Sequence, residues 1–150
     1  MGQEKSKPLK INENLTPLQG LIIRQMIEFP KIIKELNENQ KKINHWSWWV
    51  WPTEKKGNSE PKIRNTKTYI EDFQIKELLE KTNVDEWTTI LKLINQFIDD
   101  KKSLKNVIPE IDHGRMEAFY LLFLYNKNED YQDFFNVIKD QQKLFYKYKK

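Results

Sequence analysis

Apolar residues recur along this chain at intervals of three and four. Ile22, Ile23, Met26 and Ile27 fall on one helical face, and Ile32, Ile33 and Leu36 resume that face after Pro30. Thr16-Pro17-Leu18-Gln19, just ahead of them, has the marks of a helix start: a threonine N-cap, a proline at the first helical position and a glutamine placed to complete a capping box. Pro30 has no backbone N–H and crowds the turn before it, so the pattern predicts two short helices or one bent helix ahead of the polar stretch 37–44. Helical spacing returns at Phe73, Ile75, Leu78 and Leu79, and again at Trp87, Ile90, Leu91, Ile94, Phe97 and Ile98, with Asn83 or Asp85 as the cap. Asp99 to Lys105 reads as a charged connector. Met116, Phe119, Tyr120, Leu122 and Phe123 predict a helix whose face is nearly all aromatic, and a last helix is expected from about Asn128 through Phe134, Phe135 and Ile138 to Phe145.

Strand signals are few and no internal repeat is present. The expectation is a mainly α fold: a single-domain bundle of five or six helices over 15–146, a flexible polar arm over 1–14, and an aromatic-rich extended or loop segment at 45–52. Gly57 and Pro61 punctuate a lysine-rich loop over 53–68 that could serve as a lid, with 66–69 extended or loop-like.

Composition narrows the picture. A chain of 150 residues suffices for one core. Hydrophobic residues are 38% and aromatics 13%, so few, bulky side chains must do the packing. No cysteine is present, which removes disulfides, thiolate nucleophiles and Cys-ligated metal centres. The net charge is +4, but lysines are interspersed with glutamates and only Arg24, Arg64 and Arg115 are arginine, so a nucleic-acid partner is not expected. Without an apolar run of membrane-spanning length or a signal-peptide core, the expected location is cytoplasmic. Met1 to Ser6, MGQEKS, fits the pattern for N-myristoylation at Gly2, which would add a weak peripheral attachment to membrane.

Residue supply excludes much chemistry. Four scattered glycines cannot build a P-loop or a dinucleotide fingerprint. Neither a nucleophile motif nor a cluster of metal ligands is present, so no metal and no cofactor is expected. What remains is HWSWWVWPT, His45 to Thr53, with four of the five tryptophans: Trp46, Trp48, Trp49 and Trp51. As strand or as helix, this segment puts indoles on more than one side of the backbone. It therefore reads equally as core and as the wall of a site for a base, sugar or cation.

Glu35-Leu36, Lys41 and His45-Trp46-x-Trp48-x-x-x-Pro52 together resemble the signature of a small, mostly bacterial helical family of unknown function, often labelled calpastatin. Its pattern runs roughly E-L-x-x-G-x-K-x-x-H-W-M-W-F-x-F-P-Q. A second block, Asp112, Arg115, Met116, Leu122 and Phe123, is similar to that family's D-x-x-K-L-x-S-S-x-T-L-F. The chain departs from the pattern in lacking the glycine, in one residue inserted before His45, in Thr53 for the glutamine and in Ala118-Phe119 for the paired serines. The resemblance implies a helical domain spanning residues 29–138 and a set of site candidates: Lys41, His45, Trp46, Trp48, Asp112 and Arg115.

Each candidate has two readings. His45 is a core histidine, or a ligand contact or general base oriented by Asp112. Asp112 and Arg115 form a surface ion pair at i and i+3, with Asp112 also fit to be an N-cap, or Arg115 holds an anionic group beside the indoles. The leading expectation is a binding module whose aromatic pocket takes a nucleotide-like or sugar-like ligand. The alternatives are a small enzyme using His45 and Asp112, and an interaction module that docks a protein partner through the tryptophan patch.

Overall fold

In the computed structural model, residues 15–54 and 69–150 are described. The first helix, α1, runs Pro17–Asn39. Its start is the expected capping box: the Thr16 hydroxyl accepts from the Gln19 N–H at 3.1 Å, and the Gln19 side chain accepts from the Thr16 N–H at 3.0 Å. Its end is a left-handed residue, Gln40, whose N–H returns to the Leu36 carbonyl. Between them the helix passes through Pro30 without interruption, as one helix rather than two. The carbonyl deprived of its donor belongs to Met26, one turn earlier. Met26 and Pro30 both lie on the exposed side of α1, where solvent can replace the lost bond.

The remaining elements follow the hydrophobic spacing. α2, Ser47–Val50, is a single turn inside the tryptophan segment, which is therefore partly helical rather than extended. A 3-10 turn at Asp72–Gln74 leads into α3, Ile75–Lys81. α4, Val84–Lys101, is capped by the Asn83 side chain, which accepts from the Glu86 N–H at 3.0 Å. It takes in Asp99, Asp100 and Lys101 of the stretch that reads as a charged connector and stops at the left-handed Lys102. Another 3-10 turn, Glu110–Asp112, precedes α5, His113–Tyr125, and a third, Glu129–Tyr131, precedes α6, Gln132–Tyr148. The described residues are thus six helices and three 3-10 turns, with no strand.

Helix α4 lies at the centre, packed on α1 and α6, while α5 packs on α6 and α2 sits against α1. Trp87, in the first turn of α4 and fully buried, joins all four long helices. Its ring contacts Phe29 of α1 (centroids 5.8 Å apart), Phe119 and Phe123 of α5 (6.1 and 5.8 Å) and Phe134 of α6 (4.8 Å). Three of these contacts are tilted and that with Phe123 is edge-to-face, and none is the face-to-face sandwich that aromatic quadrupoles disfavour.

Candidate functional site

The tryptophan segment is anchored before it begins. After Gln40 reverses the chain, the Lys101 ammonium donates to the Gln40 carbonyl at 2.8 Å and the Lys42 N–H donates to the Val107 carbonyl at 2.8 Å. Glu35, the last buried acid of α1, then gathers the turn. Its carboxylate accepts from the Ile43 N–H (2.7 Å), the Asn44 N–H (3.1 Å), the Asn44 side-chain amide (2.6 Å) and the Trp46 indole N–H (2.8 Å). Burial pushes the Glu35 carboxyl pKa up, but the hydrogen bonds from Ile43, Trp46 and Asn44 together outweigh it and hold the pKa below 4.5.

Lys42, and not Lys41, turns inward. Its side chain is 6% exposed, its ammonium pairs with Asp112 at 3.0 Å, and it lies 5.5 Å from the centre of the Trp46 ring. Lys41 is exposed. Counted back from the histidine, the lysine of the K-x-x-H pattern falls on Lys42. Glu35, Trp46, Lys42 and Asp112 therefore form one connected cluster joining the two blocks of the pattern.

Farther along, three successive backbone carbonyls are each taken by a side chain from a different helix. The Gln25 amide of α1 donates to the Trp49 carbonyl at 2.8 Å, the Trp87 indole of α4 to the Val50 carbonyl at 3.0 Å, and the Arg115 guanidinium of α5 to the Trp51 carbonyl at 3.1 Å. The Trp51 indole N–H in turn donates to Gln141 Oε1 of α6 at 3.0 Å, an atom that also accepts from the Tyr120 hydroxyl at 2.9 Å. Gln141 donates onward to Asn95 of α4 at 2.9 Å. A one-turn helix leaves most of its carbonyls unpaired, and burying them is tolerable only if each finds a donor. Here the rest of the protein supplies those donors.

This arrangement decides between core and wall for most of the segment. Trp46, Trp49 and Trp51 are core, with Trp46 tilted on Trp51 at 5.8 Å and the Arg24 guanidinium 4.6 Å from the centre of the Trp49 ring. Trp48 is half-buried, edge-on to Trp49 at 5.5 Å. His45 is exposed and is not a core histidine. Asp112 stands at the N-cap position of α5 but makes no capping bond, since its carboxylate serves Lys42. Nor is Arg115 the other half of a surface ion pair: it is 4% exposed and bonded to the Trp51 backbone. The second histidine, His113, holds the Ile108 carbonyl at 2.8 Å and lies edge-on to Phe145.

Of the depressions on the described surface, the two best formed are not lined by Lys41, His45, Trp46, Trp48, Asp112 or Arg115. One, of 320 Å³, lies between α5 and the residues following Pro52, with Thr53, Asp72, Ala118, Leu121, Leu122 and Tyr125 in its wall. The other, of 760 Å³, lies where α1 passes the junction of α3 and α4, with Met26, Pro30, Leu79, Val84, Asp85 and Tyr131 in its wall. No group of His, Asp and Glu side chains with metal-holding geometry occurs among the described residues. No described helix is long and apolar enough to cross a membrane. Gly2 and most of the 53–68 loop lie outside the described residues.

Sequence reasoning missed Gln25, Gln141 and Trp87 as holders of the segment, since their partners lie 24, 90 and 37 residues away. Lys42 could have been found by counting from His45, and Glu35 was visible as a motif residue without a role. Comparison with protein-family models, with curated proteins and with solved structures finds no match for the chain.

Proposed function

We propose that this protein is a non-catalytic interaction module that holds an apolar helix of a partner protein against the outer face of α5. One observation carries this reading: α5 is apolar on both sides, and among the described residues only one of them is covered. Met116, Phe119, Tyr120 and Phe123 are buried in the core, while Leu121 and Tyr125 look outward, 68% and 89% exposed, with the half-buried Ala118 and Leu122 beside them. A helix without a polar face normally has no face in water. The outward residues are spaced by three and four, the spacing that meshes with another helix. Phe73, 73% exposed beside Asp72 of the same depression, extends the apolar surface.

Membership of the small helical family that the segment resembles is part of the same proposal. Its two blocks meet through Glu35, Lys42, Trp46 and Asp112, which supports a shared structural signature. The departures from the pattern converge as well. Thr53 stands at the glutamine, Ala118 at the first serine and Leu121 at the threonine, and all three line the 320 Å³ depression. Two of these three positions, polar in the pattern, are apolar here, and Ala118, Leu121, Leu122 and Tyr125 give the depression an apolar side beside Thr53, Glu54, Asp72 and Asn126, as suits a partner side chain with a polar edge.

A photo-crosslinker in place of Leu121, in the full chain within its native cell, tests this reading. It should capture a defined protein partner, and capture should vanish when Tyr125→Asp is added. The same label at the exposed Lys139 of α6 should capture nothing comparable. Equal capture from both positions, or none from position 121, would rule the α5 face out.

A further inference from the structure

We infer that the 760 Å³ groove between α1 and the α3–α4 junction is a second docking site, which receives a basic peptide segment with apolar anchors. It is separate from the α5 face and does not rest on that reading. Three features of the groove point to this occupant.

The first is charge. The charged side chains lining it are Glu80, Asp85, Glu86 and Lys81, three carboxylates against one ammonium. Lys81 is turned to Glu77, outside the lining, at 2.7 Å. Glu80 has a loose 3.8 Å contact with Lys76, both largely in solvent. The partial positive charge at the start of α4 offsets about half a unit of this and leaves the groove negative. In a chain of net charge +4, a cationic peptide is repelled on average and is drawn only to a locally acidic place.

The second is a backbone acceptor. Pro30 has no N–H to give to the Met26 carbonyl, so α1 lacks one intrahelical bond at this point, where a ligand's donor can take the place of solvent, and both residues line the groove. Lysine and arginine side chains carry donors only, and a peptide backbone brings its own N–H groups. The third is the floor. The half-buried Val84 and Tyr131 supply apolar surface over the buried Leu79, and Met26, 57% exposed, has the unbranched, polarizable side chain that adapts to varied apolar partners.

The experiment uses the full chain and two synthetic probes, a lysine–leucine amphipathic peptide and its glutamate–leucine counterpart, followed by methyl and amide NMR shifts. The lysine peptide should shift Met26, Leu79, Val84 and Tyr131 at low salt, less so as salt rises, while the glutamate peptide leaves them in place. Asp85→Asn with Glu86→Gln should weaken the lysine peptide several-fold. Because those carboxylates sit in the first turn of α4 and help to hold it, a second variant, Met26→Lys, puts an ammonium into the groove from an exposed position and should weaken binding likewise. The inference is overturned by equal shifts from both peptides, by shifts confined to Leu121 and its neighbours on α5, or by variants that bind as the parent does. Concentration-dependent shifts of the groove without any peptide would assign it to a second copy of the chain and overturn the inference too.

Discussion

Glu35 shows what a single buried carboxylate can organise. It receives four hydrogen bonds from a turn that follows the end of its own helix, two of them from backbone N–H groups without any other acceptor. Because its pKa is held below 4.5 in the folded protein, the stability it contributes is fully present above that value and lost as pH falls through the folded-state pKa. Glu35→Gln should therefore cost about 1.5–3 kcal/mol at neutral pH, the usual worth of hydrogen bonds to a charged group, and the variant should lose less than the parent on acidification. Urea titrations of both proteins at neutral pH and below 4.5 check this; parallel acid limbs would show that another carboxylate carries the pH dependence. The same residue marks a limit of reading sequence. Glu35 was recognisable as part of a motif, but its role depends on where a left-handed turn sends the chain, and the lysine that turns inward is Lys42 rather than Lys41.

At the scale of elements, caps and spacing were legible while terminations were less so. Thr16, Gln19 and Asn83 cap their helices as their residue types require, and Trp87, Ile90, Leu91, Ile94, Phe97 and Ile98 of α4 and Phe134, Phe135, Ile138 and Phe145 of α6, the positions the spacing marks, are buried. These features are local, set within a turn or two of backbone. Pro30 is the instructive exception: a local rule called for a break or a bend, yet packing of Phe29, Ile32 and Leu36 on the core keeps α1 in one piece. Since Pro30 is exposed, Pro30→Ala should restore the missing N–H to the Met26 carbonyl and remove the ring's crowding of the helix. Stability should rise, by at most about 3 kcal/mol, the full cost of proline in a helix interior. A thermal melt checks the sign, and a lower melting temperature would mean that α1 depends on the geometry proline imposes. The tryptophan segment lies at the other extreme. That it is core followed from no local pattern, because its carbonyls are satisfied by α1, α4 and α5 across long stretches of chain.

For the whole molecule, the question is whether these helices fold as one unit. Trp87 touches α1, α5 and α6 by its ring and the tryptophan segment by its indole N–H, so none of the four long helices can part from the others without disturbing it. Gln141 adds a second tie, joining Trp51 and Tyr120 to Asn95 through one buried amide. Four of the five tryptophans lie on the segment and the fifth is the hub that holds it, so indole fluorescence reports on the connection itself while far-ultraviolet circular dichroism reports on the helices. With the two so tied, denaturant unfolding should be a single transition with coincident midpoints for both probes. Trp87→Ala should lower stability by about 3–5 kcal/mol, since a large ring is lost and the Val50 carbonyl is left without its donor. That is a large part of the 5–15 kcal/mol typical of a domain. Leu121→Asp with Tyr125→Asp removes as much apolar surface from the outside of α5, yet should leave the midpoint nearly unchanged, because those side chains contribute little to the core. Separate fluorescence and dichroism midpoints in the parent protein would mean that the tryptophan segment is a detachable cover, and that the core closes without it.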